Sequence, residues 1–127
     1  MNSPSIKKIV ICEDEVKAIR DLRVICNTQY SKIIQEFTNG LELIEWLKQN
    51  PKEPDLIILD IIMKKMDGFV AFHEIQKINS NIPIIILSIE NSVPLVKYLV
   101  FHGAKDFITK PYDLEQLRRR LLKQIIK

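Results

Sequence analysis

Leu56-Ile57-Ile58-Leu59 is an apolar run with no residue left over for water, and it ends abruptly on a carboxylate, Asp60. A strand with one wet face would alternate apolar and polar residues. A run of this kind therefore belongs to a strand covered on both faces, as in a parallel sheet held between helices. Its last residue emerges at the sheet's carboxyl edge, where open α/β sheets place their chemistry. Three further runs end on reactive groups. Ile9-Val10-Ile11-Cys12 leads into Glu13-Asp14-Glu15, Ile82-Pro83-Ile84-Ile85-Ile86-Leu87 leads into Ser88, and Asp106-Phe107-Ile108-Thr109 delivers Lys110-Pro111. If these strands are parallel, acids, a hydroxyl and an ammonium arrive together at one edge.

The segments between the runs have helical spacing. After a polar lead-in with Pro4, the first strand spans 7–12, and a helix from 16 to about 30 carries Ala18, Ile19, Leu22, Ile25 and Cys26 on one stripe. A short second strand spans 33–37, and beyond the Asn39-Gly40 break a second helix carries Leu43, Ile44, Trp46 and Leu47 until Asn50-Pro51 ends it. Pro54-Asp55 opens the strand that ends on Asp60. A polar loop over 61–66 follows, and Asp67 caps a third helix striped by Phe69, Phe72, Ile75 and Ile78. Asn79-Ser80-Asn81 stops that helix.

Pro94 fits only the first turn of the fourth helix, which carries Leu95, Leu99 and Val100 and closes at Gly103. Asp113 with Gln116 forms a capping box for the last helix, striped by Leu114, Leu117, Leu121 and Ile125. Five strand-then-helix alternations demand parallel strands, and right-handed crossovers fold them into a three-layer α/β sandwich with helices on both faces. One domain over 1–127 accounts for the chain.

Among 127 residues, 46% apolar and 28% charged content is that of a globular protein and excludes a disordered chain. No apolar stretch has the length of a membrane span, and residues 1–8 lack the apolar segment of a signal peptide, so the expected location is cytoplasmic. The basic cluster Arg118, Arg119, Arg120, Lys123 and Lys127 reads as a solvated helix face with cations at its C-terminal end, where the helix dipole favours them, and direct nucleic-acid binding is not expected. Cys12 and Cys26 fall on apolar positions without metal-type spacing, far in sequence from His73 and His102, and read as reduced core thiols.

Glu13, Asp14 and Asp60, gathered within a few ångströms, would repel one another and could not all stay ionised without a counter-ion. A divalent cation answers that, and hard oxygen donors select Mg²⁺ or Mn²⁺ over zinc. Taken alone, Glu13-Asp14-Glu15 is also what a helix N-terminus attracts, and Lys110 and Ser88 are ordinary strand-end and turn residues; the coincidence with Asp60 favours the site. An aspartate beside such a cation and an ammonium can attack phosphorus and hold an acyl phosphate, with Lys110 neutralising phosphoryl oxygens and Ser88 donating a hydrogen bond to one of them.

Glu13-Asp14, Asp60 followed by Met63 and Met66-Asp67-Gly68, Ser88, Gly103-Ala104, Phe107 and Lys110-Pro111 resemble the receiver domain of two-component response regulators, in order and spacing, over essentially the whole chain. The resemblance implies a flavodoxin-like sheet of order 2-1-3-4-5. It also implies that Asp60 accepts a phosphoryl group from a sensor histidine kinase or phosphotransfer protein. Glu13, Asp14, Asp60 and the backbone carbonyl of Ile62 would hold Mg²⁺, Lys110 would bind phosphoryl oxygen, and the Lys110-Pro111 bond would be cis. Ser88 and Phe107 match the paired switch positions, which would alter the face built from the fourth helix, fifth strand and fifth helix; Lys97, Phe101, Phe107 and Arg118 are candidates for it, although Phe101 equally suits the core. That face would engage a target protein or output domain, or a second copy on phosphorylation, and no membrane.

Three positions depart from the family pattern. Lys64 stands where proline is usual, Ile89 where a small residue is usual, and Phe107 where tyrosine is more common. The bulk of Ile89 would narrow access to the phosphoryl group and slow dephosphorylation. Two rival readings remain. A degenerate receiver would bind partners without phosphorylation, and Lys64 and Ile89 favour it. An Asp-nucleophile phosphatase resembling the haloacid dehalogenases would need a second aspartate two residues after the nucleophile, where this chain has Ile62.

Overall fold

The computed structural model describes residues 5–63 and 65–126. The expectations attached to Pro4, Lys64 and Lys127 fall outside them. In chain order the elements are β1 (Lys7–Cys12), α1 (Val16–Cys26), β2 (Ser31–Phe37), α2 (Gly40–Gln49), β3 (Leu56–Leu59), α3 (Gly68–Ile78), β4 (Ile84–Ser88), α4 (Val93–Phe101), β5 (Asp106–Thr109) and α5 (Leu114–Ile125). All strand pairs are parallel, in the order β2-β1-β3-β4-β5, which is the flavodoxin-like topology. No helix among the described residues is long and apolar enough to cross a membrane.

Side-chain alternation explains why the interiors of the central strands, Ile9–Cys12, Leu56–Leu59 and Ile84–Leu87, have no charged or strongly polar residues. Val10 and Cys12 of β1, Ile57 and Leu59 of β3 and Ile84 and Ile86 of β4 face one side, where they join Leu43, Leu47, Phe72, Ile75 and Leu99 from α2, α3 and α4. Ile9, Ile11, Ile58, Ile85 and Leu87 face the other side, against Leu22, Ile25, Leu117 and Leu121 from α1 and α5. Burying one such side chain contributes about 1.5–3 kcal/mol. The two apolar layers hold the strand ends in fixed register. Both cysteines are buried free thiols inside these layers, and burial pushes both thiols up in pKa.

The helix starts follow their caps. Asn39 accepts from the Glu42 N–H at 2.9 Å, Asp67 from the Val70 N–H at 2.9 Å, and Ser92 from the Leu95 N–H at 3.4 Å, with Pro94 in the first turn of α4. Asp113 accepts from the Glu115 and Gln116 N–H groups.

Several expectations need correction. Helix α1 ends at Cys26, not near residue 30, because Asn27 donates from its amide nitrogen to the Arg23 carbonyl and accepts from the Ile33 N–H, turning the chain early. Strand β2 accordingly starts at Ser31 rather than at residue 33, and Ser31 is pinned through its hydroxyl to the Cys26 carbonyl at 2.5 Å. On α5 the buried stripe is Leu117, Leu121 and Ile125, whereas Leu114 is exposed. On α4 Leu99 is buried, but Val100 is exposed. The basic end of the chain is partly paired, since Arg120 forks onto Asp106 and the Phe107 carbonyl and Arg118 meets Glu115.

Candidate functional site

The carboxyl edges of β1, β3, β4 and β5 bring Glu13, Asp14, Asp60, Ser88 and Lys110 to the same end of the sheet. Register sets this: Cys12 pairs with Leu59, and the Asp60 N–H donates to the Cys12 carbonyl at 2.9 Å, so Glu13 and Asp60 leave adjacent strands together. Ser88 pairs with Thr109, and the Lys110 N–H donates to the Ser88 carbonyl at 2.9 Å. Ligand oxygens from Glu13, Asp14 and Asp60 lie within 4.8 Å of one another. Lys110 donates from Nζ to Glu13 at 2.6 Å and stands 3.5 Å from Asp60. The Lys110-Pro111 bond is cis.

Burial separates the three acids. Glu13 and Asp60 are almost wholly buried, whereas Asp14 is exposed at the rim. Desolvation pushes the Glu13 carboxyl up to about 7, against the pull of Lys110, and Asp60 adds to the rise. Asp60 is also held above the usual carboxylate range, chiefly by burial, with Lys110 and the Ile62 N–H opposing. The Lys110 ammonium is raised against its own burial by Glu13, Asp60 and Glu15.

One oxygen of this cluster is unsatisfied. Glu13 Oε1 accepts from Lys110 and from the Glu15 N–H at 3.1 Å, but Glu13 Oε2 is buried with no hydrogen-bond partner among the described residues. A buried, partnerless carboxylate oxygen costs about 1–3 kcal/mol or more. It is accounted for if a hard cation sits among the three acids, and an all-oxygen donor set matches Mg²⁺ or Mn²⁺. The residues present fit such an ion.

Asp60 opens onto a cleft of about 350 Å³ lined by Asp14, Glu15, Lys17, Ile62, Ile89, Lys110, Pro111 and Tyr112. Ile62 is half-exposed and its N–H donates to Asp60 at 3.1 Å, and Ile89 stands 65% exposed on the rim. On the wall opposite, the Tyr112 hydroxyl donates to Asp21, while Lys17 bonds Asp21 at 2.9 Å and lies 4.9 Å from the centre of the Tyr112 ring.

Behind the site, Gly68 lets α3 begin directly against β3. Its N–H donates to the Ile61 carbonyl at 2.8 Å, and a Cβ there would lie 2.0 Å from the Asp60 carbonyl oxygen. The loop between is closed by Lys65 in the left-handed region, with φ of 57°.

The two residues matched to the switch positions are both buried. Ser88 is fully buried, and its hydroxyl accepts from the Glu90 N–H at 3.0 Å. Phe107, in β5, is buried with Leu99 of α4 and with Ala104, whereas Phe101 is 85% exposed and not core. Glu15, Lys17 and Tyr112 were not singled out in the sequence as cleft residues. The position of Glu15 beside Asp14 was the available signal for the first, and the pairing of Tyr112 with Asp21 across 91 positions left none.

Comparison with known proteins gives a consistent picture. The family model described as the response regulator receiver domain matches residues 9–122. The chain is 35% identical over 107 residues to the chemotaxis protein CheY of Thermotoga maritima, covering 84% of this chain and 88% of that one. It is 37% identical over 118 residues to the sensor histidine kinase CheAY of Helicobacter pylori, covering 91% of this chain but 15% of the kinase. Among solved structures, a chain of the CheX-CheY-BeF3-Mg complex from Borrelia burgdorferi superposes with a TM-score of 0.85 at 30% identity, covering 95% of this chain and 90% of that one.

Proposed function

Because this chain belongs to the response regulator receiver domain family, we propose that it is a phosphorylation-controlled switch that loads a phosphoryl group on Asp60. The observation that carries this reading is the convergence of Asp60, two further acids and Lys110 at one strand edge that opens on a cleft. An Asp60 carboxylate oxygen attacks the phosphorus of a phosphohistidine on a sensor kinase or phosphotransfer protein. The P–N bond breaks, the imidazole leaves with its electron pair and takes up a proton, and an acyl phosphate forms. Glu13, Asp14, Asp60 and the Ile62 carbonyl would hold Mg²⁺, with Mn²⁺ as a substitute; the bound ion neutralises charge on the transferring phosphoryl oxygens.

The chain's own groups do the rest. Lys110, held by Glu13 within reach of Asp60, supplies a cation to the phosphoryl oxygens. The Ile62 N–H orients the nucleophile. The rim of Ile62, Ile89 and Tyr112 limits water. With no aspartate two residues beyond Asp60, the chain lacks the acid/base group of a phosphatase and acts as an acceptor rather than a turnover enzyme.

The signal leaves through Ser88 and Phe107. Ser88 ends β4, and Phe107 of the neighbouring β5 pairs with Ile86, two residues before Ser88, in the core layer that also holds Leu99 of α4. When the Ser88 hydroxyl leaves the Glu90 N–H for a phosphoryl oxygen, the β4–α4 loop is released and the population of the α4-β5-α5 face shifts. Exposed Val93, Val100 and Phe101 on α4 make that face suited to a target protein, an output domain or a second copy. The chain would act as one receiver unit in the cytoplasm, without contacting nucleic acid or membrane itself.

Intact mass after incubation with Mg²⁺ and acetyl phosphate tests the reading. Wild type gains one phosphoryl group and Asp60→Asn gains none. An unmodified wild type that still binds Mg²⁺ would instead support a phosphorylation-independent receiver.

A further inference from the structure

Glu15 occupies the N-cap position of α1, with extended backbone, yet its side chain makes no capping hydrogen bond. Helices favour Asn, Asp, Ser or Thr there because a short side-chain oxygen reaches the N–H groups of the first turn. The longer Glu15 side chain goes elsewhere. Its carboxylate lies 3.5 Å from Lys110 Nζ, half-exposed on the cleft rim that Asp60 opens onto.

Lys110 has three N–H donors. The buried Glu13 takes one at 2.6 Å, and Asp60 and Glu15 both stand at 3.5 Å. The ammonium is nearly buried, with 11% of its side chain exposed, so few directions remain from which an incoming phosphoryl oxygen can reach it. Glu15 stands on the solvent side, among the residues that line the approach.

Resting on the phosphoacceptor reading, we infer that Glu15 is a positioning residue: it pairs with the outward side of Lys110, stands in for a phosphoryl oxygen and slows loading of Asp60. To load, the phosphodonor must displace this carboxylate from Lys110. With Glu15 half-exposed, a pair at 3.5 Å is a modest restraint, and removing it raises the loading rate about fivefold, corresponding to about 1 kcal/mol.

Two variants separate direct pairing from simple charge. Glu15→Gln removes the charge. Glu15→Asp keeps the charge but is short enough to turn into the α1 cap, withdrawing the carboxylate from Lys110. Loading from acetyl phosphate with Mg²⁺ is followed by intact mass at several donor concentrations, beside Asp60→Asn. Both Glu15 variants are expected to load about fivefold faster than wild type. Glu15→Gln should leave the melting temperature unchanged, whereas Glu15→Asp should raise it slightly through the new cap. Wild-type rates in both variants overturn the inference and leave the phosphoacceptor reading intact. A fast Gln variant with a wild-type-like Asp variant also overturns it, since through-space charge would then be the whole effect. Absence of adduct in every variant overturns the phosphoacceptor reading and this inference with it.

Discussion

Gly68→Ala is the smallest change that should damage both the fold and the site. The added Cβ would lie 2.0 Å from the Asp60 carbonyl oxygen, 2.5 Å from Ile61 Cα and 2.8 Å from the Asp60 carbonyl carbon. Ordinary contact begins near 3.4 Å, and all three neighbours are backbone, so no flexible side chain can give way. The start of α3 must therefore retreat by about 1.4 Å, taken as the gap between those two distances. Its N–H then loses the 2.8 Å bond to the Ile61 carbonyl. Overpacking costs about 1–3 kcal/mol and the lost bond about 1 kcal/mol, partly offset by the better helix propensity of alanine. A net loss of about 1–3 kcal/mol results. At about 2.1 cal/mol/K per residue, unfolding 127 residues carries an entropy of about 0.27 kcal/mol/K, so the melting temperature should fall by about 4–11 °C. Because the clash falls on the Asp60 backbone, loading from acetyl phosphate should also fall at temperatures where the variant is fully folded. Thermal unfolding followed by circular dichroism, with intact mass for loading, measures both. A melting temperature within 2 °C of wild type, with wild-type loading, would refute the reasoning.

Other perturbations address the acids, the rim and the caps. The Glu13 carboxyl is raised from 4.5 to about 7, so the folded state holds this proton more tightly than the unfolded one; its contribution to stability is greatest below pH 4.5 and is lost as pH climbs towards 7. Mg²⁺ offsets that loss, and the gain in melting temperature on adding Mg²⁺ should be larger at pH 8 than at pH 5; equal gains would contradict the placement of a cation among these acids. Ile89→Ala should shorten the lifetime of the acyl phosphate while changing stability by less than about 0.5 kcal/mol, because Ile89 touches the cleft and solvent rather than the core; equal half-lives would remove Ile89 from the account. Asn39→Ala deletes the cap on α2 and should cost about 1 kcal/mol, seen as a fall of about 4 °C in melting temperature.

The strands were legible because burial on both faces leaves a signature that no surface segment shares: Ile9–Cys12, Leu56–Leu59 and the end of β4 needed no partner information. Asp60 was legible for the same reason, as the residue where such a run stops. The end of α1 was not, because the residues after Cys26 include Tyr30, which continues a plausible apolar stripe; the Asn27 side chain decides the matter by donating to the Arg23 carbonyl and accepting from the Ile33 N–H, and the second of these follows no helical spacing. Leu114 looked like core because it follows a cap and precedes a stripe, but the first residue of α5 points away from the sheet. The candidate acids were recognisable as a group, whereas the difference between them was not: that Glu13 is buried and Asp14 is wet depends on which residues close over each, as does the partnerless Glu13 oxygen. Gly68 read as part of a loop motif, and only the distance to the Asp60 backbone reveals why no side chain fits.

The outer margins of the sheet carry a further consequence. Opposite the Ile9-Val10 step, β2 has one residue more than β1, so Ile34 bulges out of the ladder, and Lys32, Gln35 and Glu36 flank it with Glu36 clamped by Arg23. At the far margin β5 is four residues long, and Asp106 at its start is held by Arg120. A bulge, a charged border and a very short strand each spoil the flat row of free N–H and C=O groups onto which a neighbouring chain could add. Crowded copies of this molecule are thus steered away from strand addition, and association is left to helix faces, which can be made and broken without opening the sheet.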